Sequence, residues 1–151
     1  MKKIIFTKQG FKDLKEKSEA LKKERPAAVL DLKKAREMGD LSENGYYKSA
    51  RFKLNDIDRS IRFNNYLIKN AQICEPTDID SVQTGLTVIL DEKGKEKKYQ
   101  IVGSYESNPE IGKISFISPV GKQLMNKKVG DKVEINVGRN QLVFTIKKII
   151  Y

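Results

Sequence analysis

Histidine and tryptophan are absent from this 151-residue chain, and it has a single cysteine, Cys74. Without histidine there is no imidazole general base, no Ser-His-Asp triad and no imidazole metal ligand, which excludes most common hydrolase mechanisms. A single cysteine excludes an intrachain disulfide and a CxxC metal knuckle, and it agrees with a reducing compartment. We therefore expect a cytoplasmic protein whose fold has no covalent cross-link.

Long apolar runs are missing as well. Met-Lys-Lys leads into Ile4, Ile5 and Phe6, and polar sequence follows directly. Such a stretch is too short for the apolar region of a signal peptide or for a membrane-spanning helix. The sequence therefore predicts neither a signal peptide nor a membrane-spanning helix, and we expect no membrane partner.

The charge is strongly positive and unevenly distributed. The chain has 30 Lys and Arg against 20 Asp and Glu, a net charge of +10. Residues 1–74 hold 18 basic and 10 acidic side chains, a net +8, whereas residues 75–151 hold 12 and 10, a net +2. A polyanionic partner is expected, mainly for the first half.

The first half has the spacing of a coiled coil. Small or apolar positions alternate three and four residues apart in two segments separated by Gly39–Gly45, which predicts two helices of about 30 residues, each about 45 Å long, folded back as an antiparallel hairpin. The first segment has Phe11, Leu14, Ser18, Leu21, Arg25, Ala28, Leu32 and Ala35, and the second has Tyr47, Ala50, Leu54, Ile57, Ile61, Asn64, Ile68 and Ala71.

Pairing positions whose numbers sum to about 82 brings Leu32 to Ala50 and the two polar seam residues, Ser18 and Asn64, to each other. A polar layer costs some stability but disfavours slipped pairings. Thr7 is expected to cap the first helix. Pro26 is expected to kink that helix without ending it, because the heptads continue on both sides.

The second half has a different pattern. Glu75–Val82 is interpreted as a linker, which predicts two domains, residues 1–75 and residues 76–151. The runs after the linker are typical of a small antiparallel β domain with a helical turn near Pro119–Asn126. The predicted strands are Thr84–Asp91, Lys97–Gly103, Ile114–Ser118, Lys132–Val137 and Gln141–Ile150.

The loop of the predicted hairpin is acidic. Residues 37–47 contain Glu37, Asp40 and Glu43 and no Lys or Arg. Asp40 with Glu43 three residues later is typical of a capping box for the second helix. The alternative interpretation uses both carboxylates as Mg²⁺ ligands, in a site that another protein completes.

Several cations border this acidic loop, among them Arg36, Lys48 and Arg51. Side chains of this kind can guide a phosphate backbone towards the carboxylates.

These residues resemble the bacterial transcript-cleavage factors GreA and GreB over essentially the whole chain. The matching segments are Arg25-Pro26, Ala35-Arg36-Glu37-Met38-Gly39-Asp40-Leu41-Ser42-Glu43-Asn44, Tyr99-Gln100-Ile101-Val102-Gly103, Ile114-Ser115, Ser118-Pro119 and Val129-Gly130-Asp131. The resemblance implies an α+β chain with an N-terminal antiparallel coiled-coil hairpin and a C-terminal β-rich, FKBP-like domain.

The resemblance also implies a function. The C-terminal domain would dock on bacterial RNA polymerase, with Ser118 and Pro119 as contacts. The hairpin would enter the secondary channel, where Asp40 and Glu43 would help to hold an Mg²⁺ shared with the polymerase. The chain would then be a monomeric accessory factor, not an enzyme, that stimulates cleavage of backtracked RNA. Arg36 and Arg51 match the family's basic patch, which faces the nascent RNA 3′ end, and we expect Lys48 to join them.

Two features depart from the usual family pattern. Family members continue the tip as Asn-Ala-(Glu or Asp)-Tyr, whereas this chain has Gly45-Tyr46, so one acid is missing. The positive charge and the segment Ile57-Asp58-Arg59-Ser60-Ile61-Arg62 are closer to GreB, which predicts cleavage products longer than dinucleotides.

Three other functions remain open at this point. The altered tip is compatible with an inhibitor that binds in the same channel without promoting cleavage. The positive charge is compatible with a general nucleic-acid-binding protein built on a basic coiled coil. An FKBP-like fold also raises a prolyl isomerase, but fold does not carry function, and that activity needs an aromatic-lined pocket.

Overall fold

The computed structural model describes residues 2–40 and 44–151. These form two compact units, one of Lys12–Asn70 and the other of the residues up to Phe11 together with Ala71–Tyr151. The sequence interpretation placed all of residues 1–75 in the hairpin domain. The structure groups the N-terminal residues with the β-rich unit instead, because two short strands pair there. In the described residues, no helix is long and apolar enough to cross a membrane.

Helix α1 spans Lys8–Arg36 and begins where the sequence predicts. The hydroxyl oxygen of Thr7 accepts a hydrogen bond from the Gly10 amide at 3.0 Å, which satisfies one free donor of the first turn. The rings of Phe6 and Phe11 lie on either side of this cap with centroids 6.3 Å apart, as in a hydrophobic staple. The helix continues through Pro26, so the expectation that it does not end there is confirmed.

Helix α2 spans Gly45–Asn70, and the predicted seam of the two helices is partly buried, with most of its other positions half-buried and Arg25 exposed. Arg25 of α1 makes a paired contact with Asp58 of α2, with Nε to Oδ1 at 2.6 Å and Nη2 to Oδ2 at 3.2 Å. At the C-terminal end of α2, Leu67 is buried and the predicted Ile68 is only half-buried. The buried residues are Ser18, Ala28, Leu32 and Ala35 on α1 and Ala50, Ile57, Asn64 and Leu67 on α2.

Two three-residue strands were not predicted. Strand β1 (Ile4–Phe6) pairs in parallel with strand β2 (Ala71–Ile73), which follows α2 directly. Ala71 therefore begins a strand, whereas the heptad pattern placed it in the second helix.

Glu106 attaches the N-terminal segment to the β-rich unit. It ends a 3₁₀ turn, Ser104–Glu106, and its Oε2 accepts hydrogen bonds from the amides of Thr7 at 2.9 Å and Gly103 at 2.8 Å. Its Oε1 also accepts from the Thr7 hydroxyl. A Cβ at Gly10 would lie 1.7 Å from this oxygen, so a side chain there would displace the carboxylate.

The remaining chain contains β3 (Thr87–Glu92), β4 (Lys95–Val102), a 3₁₀ turn (Pro109–Ile111), β5 (Lys113–Ser115), α3 (Pro119–Leu124), β6 (Lys132–Val137) and β7 (Asn140–Ile150). The five strands form one sheet in the order β5-β4-β3-β7-β6. The expectation of a purely antiparallel domain is wrong, because β4 and β5 pair in parallel. Strands β3 and β4 form a hairpin, and Lys93 and Gly94 connect them with φ of +49° and +86°, the signs of a type I′ turn.

One apolar core holds this sheet together. It combines inward-facing residues of the strands with Leu124 of helix α3. Its buried members are Val82, Leu86, Val88, Leu90, Ile101, Leu124, Val133, Ile135, Phe144, Ile146 and Ile149.

Candidate functional site

The C-terminal end of α1 leads into the acidic loop. Its last turn carries Lys33, Lys34 and Arg36, which interact favourably with the negative end of the helix dipole. The Met38 amide donates to the Ala35 carbonyl at 3.3 Å, and Gly39 follows with φ of +109°, a backbone conformation that favours glycine. The chain therefore leaves the helix after Arg36 and changes direction at Gly39, immediately before Asp40.

Asn44 is the N-cap of α2. Its Oδ1 accepts a hydrogen bond from the Tyr47 amide at 3.0 Å, and its Nδ2 donates to the Ala35 carbonyl at 3.0 Å. The Asn44 side chain thus provides an acceptor for a free amide in the first turn of α2 and links that turn to the end of α1. The interpretation of Asp40 and Glu43 as the capping box of α2 is wrong, because the helix begins at Gly45, five residues beyond Asp40, and its cap is Asn44.

A small apolar cluster supports the loop. Buried Leu32, Ala35 and Ala50 pack together, with Tyr47 and Leu54 against them. Leu32 and Ala50 are partners in the predicted register, and so are Ala35 and Tyr47. The two helix ends that border the acidic loop are therefore held by packing as well as by the Asn44 hydrogen bonds.

The predicted cations lie on the surface around this cluster. Arg36, Lys48 and Arg51 are all exposed. The Arg36 guanidinium carbon lies 6.0 Å from the centroid of the Tyr47 ring, within the range of a cation–π contact. Lys48 and Arg51 lie three residues apart on α2 and so share one side of that helix.

The structure describes one of the two predicted Mg²⁺ ligands. Asp40 is exposed and lies between the helix ends, whereas Glu43 lies outside the described residues. Carboxylate oxygens fit the ligand preference of Mg²⁺, which often takes only one or two from a protein. Within residues 2–40 and 44–151, no group of three Asp, Glu, His or Cys side chains is placed to hold a metal.

The predicted docking residues, Ser118 and Pro119, begin helix α3. The Ser118 hydroxyl accepts a hydrogen bond from the Gly121 amide at 3.0 Å and donates to the Ser115 carbonyl at 2.7 Å. This side chain caps the helix, a role that the sequence interpretation missed although Ser-Pro at a helix start signals it. Pro119 is exposed, and so is its neighbour Ile117.

The two larger of the clefts described in the β-rich unit have volumes of about 320 and 610 Å³. Both are lined by Gln100 and Tyr151, and Tyr151 is the single aromatic residue among the lining residues of either cleft. Neither cleft offers the aromatic-lined pocket that a prolyl isomerase would need.

Comparisons with known proteins agree with this architecture. A family described as "Transcription elongation factor, N-terminal" matches residues 4–73, and one described as "Transcription elongation factor, GreA/GreB, C-term" matches residues 75–151. Transcription elongation factor GreA of a Nitratiruptor species is 38% identical over 150 residues, covering 97% of this chain and 92% of that protein. GreA of Thermoanaerobacter pseudethanolicus is 43% identical over 141 residues, covering 90% of each.

Among solved structures, the transcription factor Gfh1 aligns with a TM-score of 0.49 at 24% identity, covering 98% of this chain and 97% of that one. The two family matches together span nearly the whole sequence, and the named relatives cover most of it. The chain therefore belongs to the GreA/GreB family of transcription elongation factors.

Proposed function

We propose that this protein binds RNA polymerase in the cytoplasm and brings its acidic loop to the polymerase active centre, where it stimulates cleavage of backtracked nascent RNA. Family membership implies the polymerase partner. The observation that carries the finer proposal is the position of Asp40, exposed between two helix ends that Asn44 ties together.

The carboxylates of Asp40 and Glu43 are the proposed ligands of an Mg²⁺ that the polymerase also binds. When bound, this ion supplies charge neutralisation at the scissile phosphate and activation of the attacking water. The chain contributes the negative charge of these two carboxylates at the acidic loop. It surrounds that loop with Arg36, Lys48 and Arg51, which attract the phosphates of the extruded RNA.

The test is RNA cleavage in a purified elongation complex that has been backtracked artificially. We expect Asp40→Asn and Glu43→Gln each to lower the stimulated rate about tenfold or more, since each removes a ligand charge with little change of shape. Glu16→Gln is the matched control, because Glu16 is an exposed acid of α1 whose contact with Lys12, at 3.9 Å, is of the kind that contributes little. Equal polymerase binding by all variants must accompany the result.

Tyr46 favours one alternative, an inhibitor that occupies the channel without promoting cleavage. This side chain stands where the family usually has an acid, and it is 46% exposed. Wild-type protein that binds polymerase and slows transcription without stimulating cleavage would establish the inhibitor. Tyr46→Glu should then restore part of the cleavage activity.

Docking is the second part of the proposal. The Ser118 hydroxyl is used within the domain, so we assign the polymerase contact mainly to the exposed Pro119 and Ile117 beside it. Ile117→Ser should weaken polymerase binding about tenfold, as is typical of an apolar contact near the centre of an interface. Ile79→Ser is the control, since Ile79 is also an exposed isoleucine of this unit. Equal losses in both variants would contradict the assignment.

A further inference from the structure

The outward side of α2 carries an aromatic stripe. Phe52 is 73% exposed, Phe63 48% and Tyr66 55%. At 100° per residue, spacings of 11 and 14 place the last two within about 40° of Phe52 around the helix, and Arg59 lies between them at about 20°. We call Phe52, Arg59, Phe63 and Tyr66 the outer stripe.

The outer stripe lies away from three of the four residues that α2 buries. Ala50, Ile57 and Asn64 repeat every seven residues, on the side of α2 about 120–160° from Phe52. The fourth buried residue, Leu67, is about 60° from Phe52 and borders the stripe. Phe52 is about 16 Å along the helix from Phe63, with Arg59 between them, and large exposed rings on one face of a helix mark an interaction site.

The charge around the stripe selects the class of partner. Helix α2 carries six basic and two acidic side chains. Of the two acids, Asp58 is engaged by Arg25, which leaves Asp56 as the acid nearest the stripe. Arg59 in the stripe and Arg62 beside it are both exposed. The occupant should therefore be an anion with flat apolar faces.

Single-stranded RNA has both properties, because its phosphates pair with Arg and Lys while its bases stack on aromatic rings. A double-stranded nucleic acid does not fit, because its bases are stacked on one another and their faces cannot contact the rings. From Phe52 to Tyr66 the stripe is about 21 Å long, room for about four to six nucleotides. Phe52 lies about 10 Å along the helix from Gly45 and Tyr66 about 31 Å. Only RNA that extends several nucleotides past the acidic loop can reach these rings.

We propose that the outer stripe is a stacking platform for extruded single-stranded RNA, separate from the cations at the loop. This proposal rests on the proposed function, because it assigns the stripe to the same RNA. It predicts that substitutions in the outer stripe lower stimulated cleavage when the extruded RNA segment is long and leave it unchanged when the segment is short.

The direct test measures binding of the full-length protein to a fluorescent oligouridylate and to an abasic strand of equal length. Wild type should bind the oligouridylate about tenfold more tightly, and Phe52→Ala/Tyr66→Ala should lose this difference while keeping the same salt dependence. Val29→Ala/Leu30→Ala, which removes exposed apolar side chains of α1, should behave as wild type. Equal affinity of wild type for both strands, or no effect of the stripe variant, would overturn the proposal.

A second arm separates this proposal from the proposed function. In complexes backtracked by two nucleotides, the stripe variant should stimulate cleavage as wild type does, and in complexes backtracked much further it should lose most of its activity. Activity equal to wild type at every length would overturn the platform. Loss of polymerase affinity with unchanged oligonucleotide binding would assign the stripe to a protein surface and also overturn it. Wild type without stimulation at any length would instead refute the proposed function, and the oligonucleotide arm would still decide the platform.

Discussion

Replacing buried Ser18 with alanine should stabilise the hairpin, although most buried substitutions destabilise. Ser18 is 1% exposed and Asn64 is 6% exposed, and they are the polar pair of the predicted register. Within the described residues, neither the Ser18 hydroxyl nor the Asn64 amide nitrogen has a hydrogen-bond partner. Neither atom has a protein partner among the described residues, and the cost of burying such a group is what the substitution removes.

The magnitude follows from three contributions. An unpaired buried polar group costs about 1–3 kcal/mol, and alanine adds up to about 0.5 kcal/mol of helix propensity over serine. The void left by one oxygen, about 10 Å³, subtracts about 0.2 kcal/mol. Ser18→Ala should therefore raise the free energy of unfolding by about 1–3 kcal/mol. In a chain of this length, that corresponds to about 2–4 °C in Tm for each kcal/mol.

Thermal unfolding followed by far-UV circular dichroism measures this effect. Ala28→Ser is the reverse control, because it places a hydroxyl at a seam position that is 2% exposed, and it should lower Tm by a similar amount. A lower Tm for Ser18→Ala than for wild type would refute the reasoning. It would mean that the hydroxyl finds a partner, such as a buried water, that stabilises the folded state.

Three further predictions concern contacts described above. Asn44→Ala should destabilise the hairpin by about 1 kcal/mol or slightly more in urea unfolding, because it removes the α2 cap and the bond to α1; an unchanged midpoint would contradict the capping role. The hydrogen bond from Arg25 holds the pKa of Asp58 below its usual value, so this contact stabilises the fold above the ordinary Asp pKa of 3.8 and is lost as pH falls through the lowered pKa. Unfolding from pH 6 to pH 2 should therefore show a shallower loss of stability in Asp58→Asn than in wild type, and parallel curves would refute the assignment. Glu106→Ala should cost about 2–4 kcal/mol, because it leaves the Thr7 amide without its acceptor, and faster amide exchange at Thr7 would be its signature.

Periodic and local features of this fold were predictable from the sequence. The seam follows from the heptad spacing, and the α1 cap follows from Thr7 between two phenylalanines, because each signal lies within a few neighbouring residues. The burial of two polar seam residues was predictable for the same reason. Ser18 and Asn64 break an otherwise apolar pattern at positions that a single register aligns.

Other features depend on contacts between distant parts of the chain. Strands β1 and β2 have three residues each, too few for a pattern, and they form because they pair with each other. Glu106 acts on Thr7 across 99 positions. At the loop, the sequence predicted a capping box of Asp40 and Glu43, whereas the cap is Asn44, whose amide group also reaches the distant Ala35 carbonyl.

The central claim is that the acidic loop contributes ligands to an Mg²⁺ that it shares with the polymerase. The most direct test is an Mg²⁺ titration of RNA cleavage in a backtracked complex, with and without saturating factor. The account predicts that wild type lowers the Mg²⁺ concentration for half-maximal cleavage by about tenfold and that Asp40→Asn/Glu43→Gln, bound equally well, does not. A half-maximal concentration that wild type leaves unchanged, or that the double variant lowers as much as wild type, would contradict it.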